Sequence, residues 1–317
     1  MVSESTLQKV VSKQRKMLAE LLFESMSELA VACAEKINDR EALEVLLATE
    51  MRQAEYCKYL WVVDSTGLQV TEDVTRTGIK SGRIGRDRIA RPYLQRALKG
   101  DDYYLSDAYI SSNRKRPSLT AVKTIYDTEG RAIAYLGADF DLRELPHTTE
   151  QYKDEKIWKQ VKGDPAIRSA LFTQQRVESA MDAQIDDVLS LVEELILVQG
   201  VFHAKLHFSS SRATFWLVDN PYVYQILNFD ELSNPDICLA FRRQPYFDKA
   251  IVKPEKIAPV FQQFKALRFA DETIYLRSAS LNVVNGMVGL NFSCDGSHYM
   301  NYEEFLDKNM AFWFGGG

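Results

Sequence analysis

Apolar residues recur at Leu7, Val10, Val11, Leu18, Leu21, Leu22 and Leu29. Steps of three and four residues predict an amphipathic helix over 7–37. A second helical stretch, "DREALEVLLATEMRQAEY", follows, with Asp39 placed to cap it. The period then changes. "CKYLWVVDSTGLQVTEDV" is a β-rich run broken by the turn Asp64-Ser65-Thr66-Gly67, which predicts a hairpin. "RPYLQRALKG" is a short helix stopped by Gly100. "PSLTAVKTIYDTEGRAIAYLGADFDL" is a second hairpin, turning at Asp127 to Gly130. The order is helix, hairpin, short helix, hairpin.

A polar run from Pro146 to Pro165 reads as a connection between domains. A second long helix is predicted from Ala166 to Gln199, ended by Gly200. The second half then resembles the first. "YLWVVDS" at Tyr59 matches "TFWLVDN" at Thr214, aligning Trp61 with Trp216. "RPYLQRAL" at Arg91 matches "QPYFDKAI" at Gln244, and "YLGADF" at Tyr135 matches "MVGLNF" at Met287, aligning Phe140 with Phe292. Three matches in order at nearly one offset predict two copies of one α+β module. The boundaries expected are 1–147 for the first helix and module, 148–165 for the connection, and 166–317 for the second helix and module.

A length of 317 residues suits two domains, and 46% apolar residues suffice for real cores. The N-terminal "MVSESTLQKVVSKQRK" lacks the apolar stretch of a signal peptide, and no run approaches a membrane span. The expectation is a cytoplasmic, soluble protein. Cys33, Cys57, Cys238 and Cys294 show neither C-x-x-C nor zinc spacing, so free, mostly buried thiols are expected. The net charge is −5, yet Arg76 to Arg116 holds eleven Lys/Arg against four Asp/Glu. That asymmetry asks for an anionic partner.

The run "GRDRIARPYLQRALKGDDYYLSDAYISSNRKRPSLTAVKTIYDTEGRAIAYLGADFDL" resembles the Cache, or PDC, sensor domains. These are PAS-like modules of bacterial chemoreceptors, sensor kinases and diguanylate cyclases. The resemblance covers about Tyr59 to Leu145. It rests on "RPY" opening a short helix, "YLSDAYIS" after it, and the closing "G-x-D-F-D-L" strand. It implies an antiparallel sheet behind a long helix, with a small-ligand pocket closed by the "RPY…LSD" segment. It places Arg91 and Tyr93 against a ligand carboxylate, Tyr109 and Ser111 on the next pocket segment, and Asp139 where an amino group is held. Arg88 and Asp107 flank these positions and complete the candidate binding set. The chain departs from the amino-acid-binding pattern at Leu94 and Ser111, so a small carboxylate or other anion is the expected ligand. Independently of any family, arginine offers a planar fork to a carboxylate and tyrosine hydroxyls add orienting donors. The alternative is that Arg91 pairs with Asp87 or Asp107 on the surface. In the second module Gln244 replaces the pocket arginine, with Arg242 and Arg243 just before it, so that copy is expected to be degenerate.

Other constellations carry less. His203 and His207 are four apart, but they alternate with Ala204, Leu206 and Phe208, which predicts a strand with one solvated polar face rather than a metal site. "SGRIGRD" lacks the ending of a phosphate loop and reads as a glycine-rich turn. The basic segment with its tyrosines could meet nucleic acid, but the whole chain is acidic and no nucleic-acid motif appears. Steering of an anion towards a pocket explains the same charges. Serines and cysteines in "FSSSRATF" and "NFSCDGSH" match no nucleophile signature. Surplus apolar residues on the first helix, notably Val10, Val11, Leu18 and Leu22, suggest a homodimer through the long helices, or burial within the chain.

The sequence thus predicts an α+β protein of two PAS-like modules, each an antiparallel sheet behind a long helix. It is expected to bind a small molecule without catalysis, cofactor or metal. No kinase histidine box, G-G-D-E-F string or defensible helix-turn-helix is present, so its signal is expected to reach a separate output protein. Two rivals stand beside this: a dimeric scaffold with vestigial pockets, and an enzyme assembled from scattered residues.

Overall fold

The computed structural model describes residues 6–111, 116–146, 175–294 and 296–314, which fall into two compact units. The first unit opens with α1 (Thr6–Lys36) and α2 (Arg40–Gln53). On α1, Gln14, Leu18, Leu22, Met26, Leu29, Ala30 and Cys33 are buried, one stripe at helical spacing. Asp39 caps α2 by accepting from the Ala42 N–H at 3.0 Å, as its position predicts.

The first sheet is antiparallel and contains β1 (Cys57–Asp64), β2 (Asp73–Thr75), β3 (Gly78–Lys80), β4 (Tyr103–Leu105), β5 (Tyr109–Ile110), β6 (Pro117–Tyr126) and β7 (Ala132–Asp141). Its order is β3-β2-β1-β7-β6-β4, with β5 also on β6. Between β3 and β4 lies α3 (Pro92–Leu98), whose Tyr93, Leu94 and Ala97 pack with Trp61, Val63, Val122 and Tyr135 into one core cluster. Pro92 opens α3 because its fixed φ suits the first helical position. Gly137 of β7 faces Trp61 across the ladder. A Cβ there would lie 2.1 Å from the Trp61 ring, so the indole lies flat on bare backbone.

The second unit begins with α4 (Ala180–Ala183) and α5 (Ile185–Val198). Its sheet holds β8 (Val201–His207), β9 (Arg212–Leu217) and β10 (Asn220–Leu227), then, after α6 (Phe229–Leu232) and α7 (Pro254–Phe269), β11 (Leu276–Asn282), β12 (Met287–Phe292) and β13 (Ser297–Asn301). The short helices α8 (Tyr302–Asp307) and α9 (Met310–Phe314) follow. All pairings are antiparallel. The expected α+β class, two antiparallel sheets behind helices, is what the chain adopts.

Two expectations are corrected. The predicted helix over 166–199 is shorter. Residues 175–179 are not helical, and a capping box at Ser179 and Asp182 starts α4. A break at Gln184 separates α4 from α5. Residues 166–174, and the predicted connection at 148–165, lie outside the described residues.

The repeat at one offset also fails on strand order. The second sheet runs β10-β9-β8-β11-β12-β13. In the first sheet the opening strand β1 pairs with the last strand, β7; in the second, β8 pairs with β11, the first strand after the helices. Trp61 is on β1, whereas Trp216 is on β9, the second strand of its sheet. Phe140 sits beside β1, whereas Phe292 on β12 is one strand removed from β8. Where residues 92–98 form α3, residues 245–251 form no helix. Aromatic and apolar alternation recurs on any half-buried strand, which is why unrelated strands align.

Candidate functional site

The site grows from one face of the first sheet. Asp139 of β7 sits opposite Tyr59 of β1 and Thr120 of β6, while Trp61 sits opposite Gly137. Opposed residues share a face, so period-two alternation brings Trp61, Thr120 and Asp139 together. The Thr120 hydroxyl donates to Asp139 Oδ1 at 2.7 Å, and the Trp61 Nε1–H donates to Oδ2 at 3.2 Å. Tyr109 Oη lies 2.8 Å from the Thr120 Oγ1. A threonine hydroxyl has one proton, already given to Asp139, so Tyr109 is the donor in that contact. The Tyr93 ring stands 5.9 Å from Trp61 and 6.3 Å from Tyr109, closing an aromatic wall over the carboxylate.

Burial pushes the Asp139 carboxyl above the ordinary carboxylate range, opposed by the Arg88 charge and by the hydrogen bonds from Thr120 and Trp61. Asp139 has no ion-pair partner within 4 Å among the described residues. Burial also raises the Tyr93 and Tyr109 phenols, with the Asp139 charge adding to both. Both therefore stay protonated near neutral pH and can donate.

Arg88 is 4% exposed, and each nitrogen of its guanidinium makes one hydrogen bond. Nε donates to Gln69 Oε1 at 2.8 Å, Nη1 to the Tyr93 hydroxyl at 3.2 Å, and Nη2 to Asp73 Oδ1 at 3.0 Å. Its guanidinium carbon sits 3.9 Å from the Trp61 ring centre. Gln69 also donates to Asp73 Oδ1 at 2.8 Å, so the polar cluster cross-links itself.

The structure therefore brings together Arg88, Tyr93, Tyr109 and Asp139. It does not bring in Arg91, Asp107 or Ser111. Arg91 is exposed; its carbonyl accepts from the Leu94 and Gln95 N–H groups, while its side chain makes no cap bond. Neither expected surface partner holds it: Asp107 pairs with Arg15 at 3.1 Å, and Asp87 accepts from the Ile89 N–H. The Asp107 side chain is 81% exposed. Ser111 ends the segment after β5, half-buried, with its N–H on the Arg116 carbonyl. Trp61, Thr120, Gln69 and Asp73 are the cluster members that the sequence did not single out.

The remaining motifs resolve simply. In "SGRIGRD" the Gly82 and Arg83 N–H groups donate to the Glu72 carboxylate at 3.0 and 2.6 Å, so an internal anion fills that turn. His203 and His207 lie on a strand, as expected, but their face is half-buried rather than solvated. The His203 ring stacks on Trp216 at 4.4 Å, and burial pushes both imidazoles down to about 4. Among the described residues no cluster of three His, Cys, Asp or Glu could hold a metal. Cys33, Cys57 and Cys238 are buried and Cys294 is exposed, all free. Leu18 and Leu22 are buried, so they are not the surplus apolar surface expected of α1; Met17, Leu21 and Val31 are exposed instead. No described helix is long and apolar enough to cross a membrane.

No family model matches the chain, and no curated protein matches it. Solved structures overlap it in part. The ligand-binding domain of Campylobacter jejuni chemoreceptor Tlp3, in complex with 4-methylisoleucine, is 18% identical at a TM-score of 0.35, covering 45% of this chain and 62% of that one. An extracellular ligand binding receptor from Desulfohalobium retbaense is 18% identical at 0.32, covering 42% and 24%. The E. coli DcuS sensor domain is 18% identical at 0.32, covering 41% and 92%. The overlap spans less than two thirds of the first two proteins and less than half of this chain.

Proposed function

We propose that the first unit is a small-molecule-binding sensor module whose site is the Trp61–Tyr93–Tyr109–Thr120–Asp139 cluster. One observation carries this: Asp139 is half-buried among side chains that desolvate it and raise its pKa, and among the described residues its carboxylate accepts two neutral hydrogen bonds and forms no ion pair. A desolvated carboxylate that feels Arg88 only at a distance, with no cation bonded to it, is costly, and perturbed groups of this kind mark functional sites. A ligand donor brought to Asp139 would relieve that cost. The ligand is a small carboxylate that also carries such a donor, an amine or a hydroxyl. Arg91, exposed at the start of α3, supplies the guanidinium for its anionic end. Arg88, tied at all three nitrogens to Gln69, Tyr93 and Asp73, serves as the fixed floor beneath Trp61 and Tyr93. The module binds and releases without turnover, and its signal passes to a partner by a shift between two states that the ligand binds unequally.

A thermal-shift screen of amino-carboxylates, hydroxy-carboxylates and plain carboxylates tests this on wild type, Asp139→Asn and Arg91→Ala. A ligand held at 100 times its Kd adds about 2.7 kcal/mol of stability. The expected result is stabilisation by donor-bearing carboxylates, lost in Asp139→Asn and weakened in Arg91→Ala. Stabilisation that survives Asp139→Asn refutes the site. A second reading, a scaffold with a self-bonded cluster, is favoured by the engagement of every Arg88 nitrogen with Gln69, Tyr93 or Asp73. It predicts no stabilisation by any member of the panel.

A further inference from the structure

The second unit holds a cavity of about 380 Å³ that the first unit's site does not explain. Small-molecule sites span roughly 300–1,000 Å³, so its size suits a compact ligand. One wall is the span 241–253, which contains neither helix nor strand. Irregular stretches of that length inside compact domains are uncommon and usually functional.

This stretch is nonetheless fixed. Phe241 and Val252 anchor its ends, at 4% and 0% exposure. The Gln244 N–H donates to the Val198 carbonyl at 2.8 Å, at the close of α5. The Gln244 side-chain amide donates to the Asp219 carboxylate. Gly200, at φ +72°, leaves room for that amide, since a Cβ would lie 2.6 Å from Gln244 Oε1. The Tyr246 hydroxyl donates to the Val252 carbonyl at 2.7 Å, folding the stretch on itself.

On this rigid arch Arg242 and Arg243 stand side by side, both exposed and both lining the cavity. Neither side chain has an ion pair or hydrogen bond among the described residues. Asp219, which accepts from the Gln244 amide, and Asp248 line the same cavity, but among the described residues neither forms an ion pair with Arg242 or Arg243. Two adjacent guanidinium groups on a hydrogen-bonded loop, neither of them ion-paired, offer an anion two charged forks. Tyr246 and Phe247, both half-buried, supply aromatic wall beside them.

We propose that this cavity is a second binding site, for a small molecule bearing one carboxylate or phosphate group on a flat apolar body. The anion sits on Arg242 and Arg243 and the apolar body lies against Tyr246 and Phe247. The site is independent of the Asp139 cluster.

Calorimetric titration with phenyl phosphate tests it on the full chain, alongside inorganic phosphate as the anion without the ring. The variants are Arg242→Gln/Arg243→Gln and Asp139→Asn; both arginines are exposed, and an unchanged Tm confirms that the double variant folds. The expected result is binding by wild type and by Asp139→Asn, weakened about tenfold or more in the double arginine variant, with inorganic phosphate weaker than phenyl phosphate. Binding lost in Asp139→Asn assigns the ligand to the first unit and overturns the proposal. So does equal binding by the arginine variant, equal affinity for inorganic phosphate, or no binding at millimolar phenyl phosphate.

Discussion

The two units treat one aspartate each, Asp182 and Asp139, oppositely. In the second unit Asp182 meets Arg268, which is 0% exposed. Arg268 grips it with Nε at 2.9 Å and Nη2 at 2.7 Å, while Nη1 bonds the Ser209 hydroxyl and the Leu276 carbonyl. That is a bidentate, fully satisfied pair tying the start of α4 to the end of α7 and the start of β11. In the first unit Asp139 is half-buried but desolvated by its neighbours, yet among the described residues only a threonine and a tryptophan bond its carboxylate, and the nearby arginine is turned to Gln69, Asp73 and Tyr93. One carboxylate is finished by the fold; the other is left for something else to finish. Burial of a charge alone therefore does not mark a site. A desolvated carboxylate to which no cation is bonded does.

The largest effect should come from breaking the finished pair. Arg268→Leu leaves Asp182 with only the more distant Arg176 guanidinium, at 3.7 Å, and removing one partner of a buried pair costs about 3–5 kcal/mol. Thermal unfolding of the variant should show a large loss of stability, while the response to first-site ligands of whatever fraction remains folded should be unchanged. A loss near zero would mean that Asp182 finds water or another donor, and the contrast with Asp139 would collapse.

Next comes Gly137→Ala. The added methyl would overlap the Trp61 ring at 2.1 Å. Overpacking typically costs about 1–3 kcal/mol. Here it must also lift the Trp61 N–H from Asp139 and disturb the stack on Arg88. We expect a changed tryptophan emission and a lost ligand response together. Stability lost with the ligand response intact would show that Trp61 packs the core without shaping the site.

Asp139→Asn should act in the other direction. The folded pKa of Asp139 is raised above its unfolded value, so the folded state binds the proton more tightly. Stability then falls as pH rises from the ordinary carboxylate range through the raised pKa, by about 1.4 kcal/mol for each pH interval of one between the unfolded and folded values. The asparagine variant lacks this loss. Its stability relative to wild type should increase from acid to neutral pH, read as the difference in Tm across that window. Asp141, two residues on and paired with Arg143, has a lowered pKa and carries the opposite sign. A flat difference for Asp139→Asn would mean that the carboxyl is already compensated, and would remove the main ground for a site there.

How much of this was legible in the sequence follows from what each feature depends on. The helix over 7–37, the cap at Asp39 and both first-unit hairpins depend on local periodicity and turn chemistry, which neighbouring residues display. Asp139, Tyr93 and Tyr109 were legible because a motif names them. Thr120 and Trp61 were not, because their meeting with Asp139 depends on the register of three strands separated by many residues. That Arg88 and not Arg91 turns inward was hidden for a similar reason: it is decided by the partners Gln69 and Asp73, near neither in sequence. The apparent repeat shows the converse error, since matching strands by texture says nothing of the order in which a sheet is strung.

The smallest effect belongs to Asp107, a candidate ligand contact by motif. It is exposed and pairs with Arg15 of α1, whose Nη2 also donates to the Leu105 carbonyl at 3.2 Å. Exposed ion pairs contribute about 0.2–1 kcal/mol, less at high salt. Asp107→Asn should therefore change Tm by little and leave ligand affinity unchanged, because the next residues inward are held by other bonds. Ser106 Oγ accepts from the Thr120 N–H at 2.9 Å and donates to the Asp107 carbonyl at 2.8 Å, and neither bond needs the Asp107 carboxylate. A tenfold loss of affinity in Asp107→Asn would show instead that the α1 contact sets the position of Tyr109 and Thr120. The boundary between the buried, unfinished carboxylate and its solvated surroundings would then have to be drawn further out.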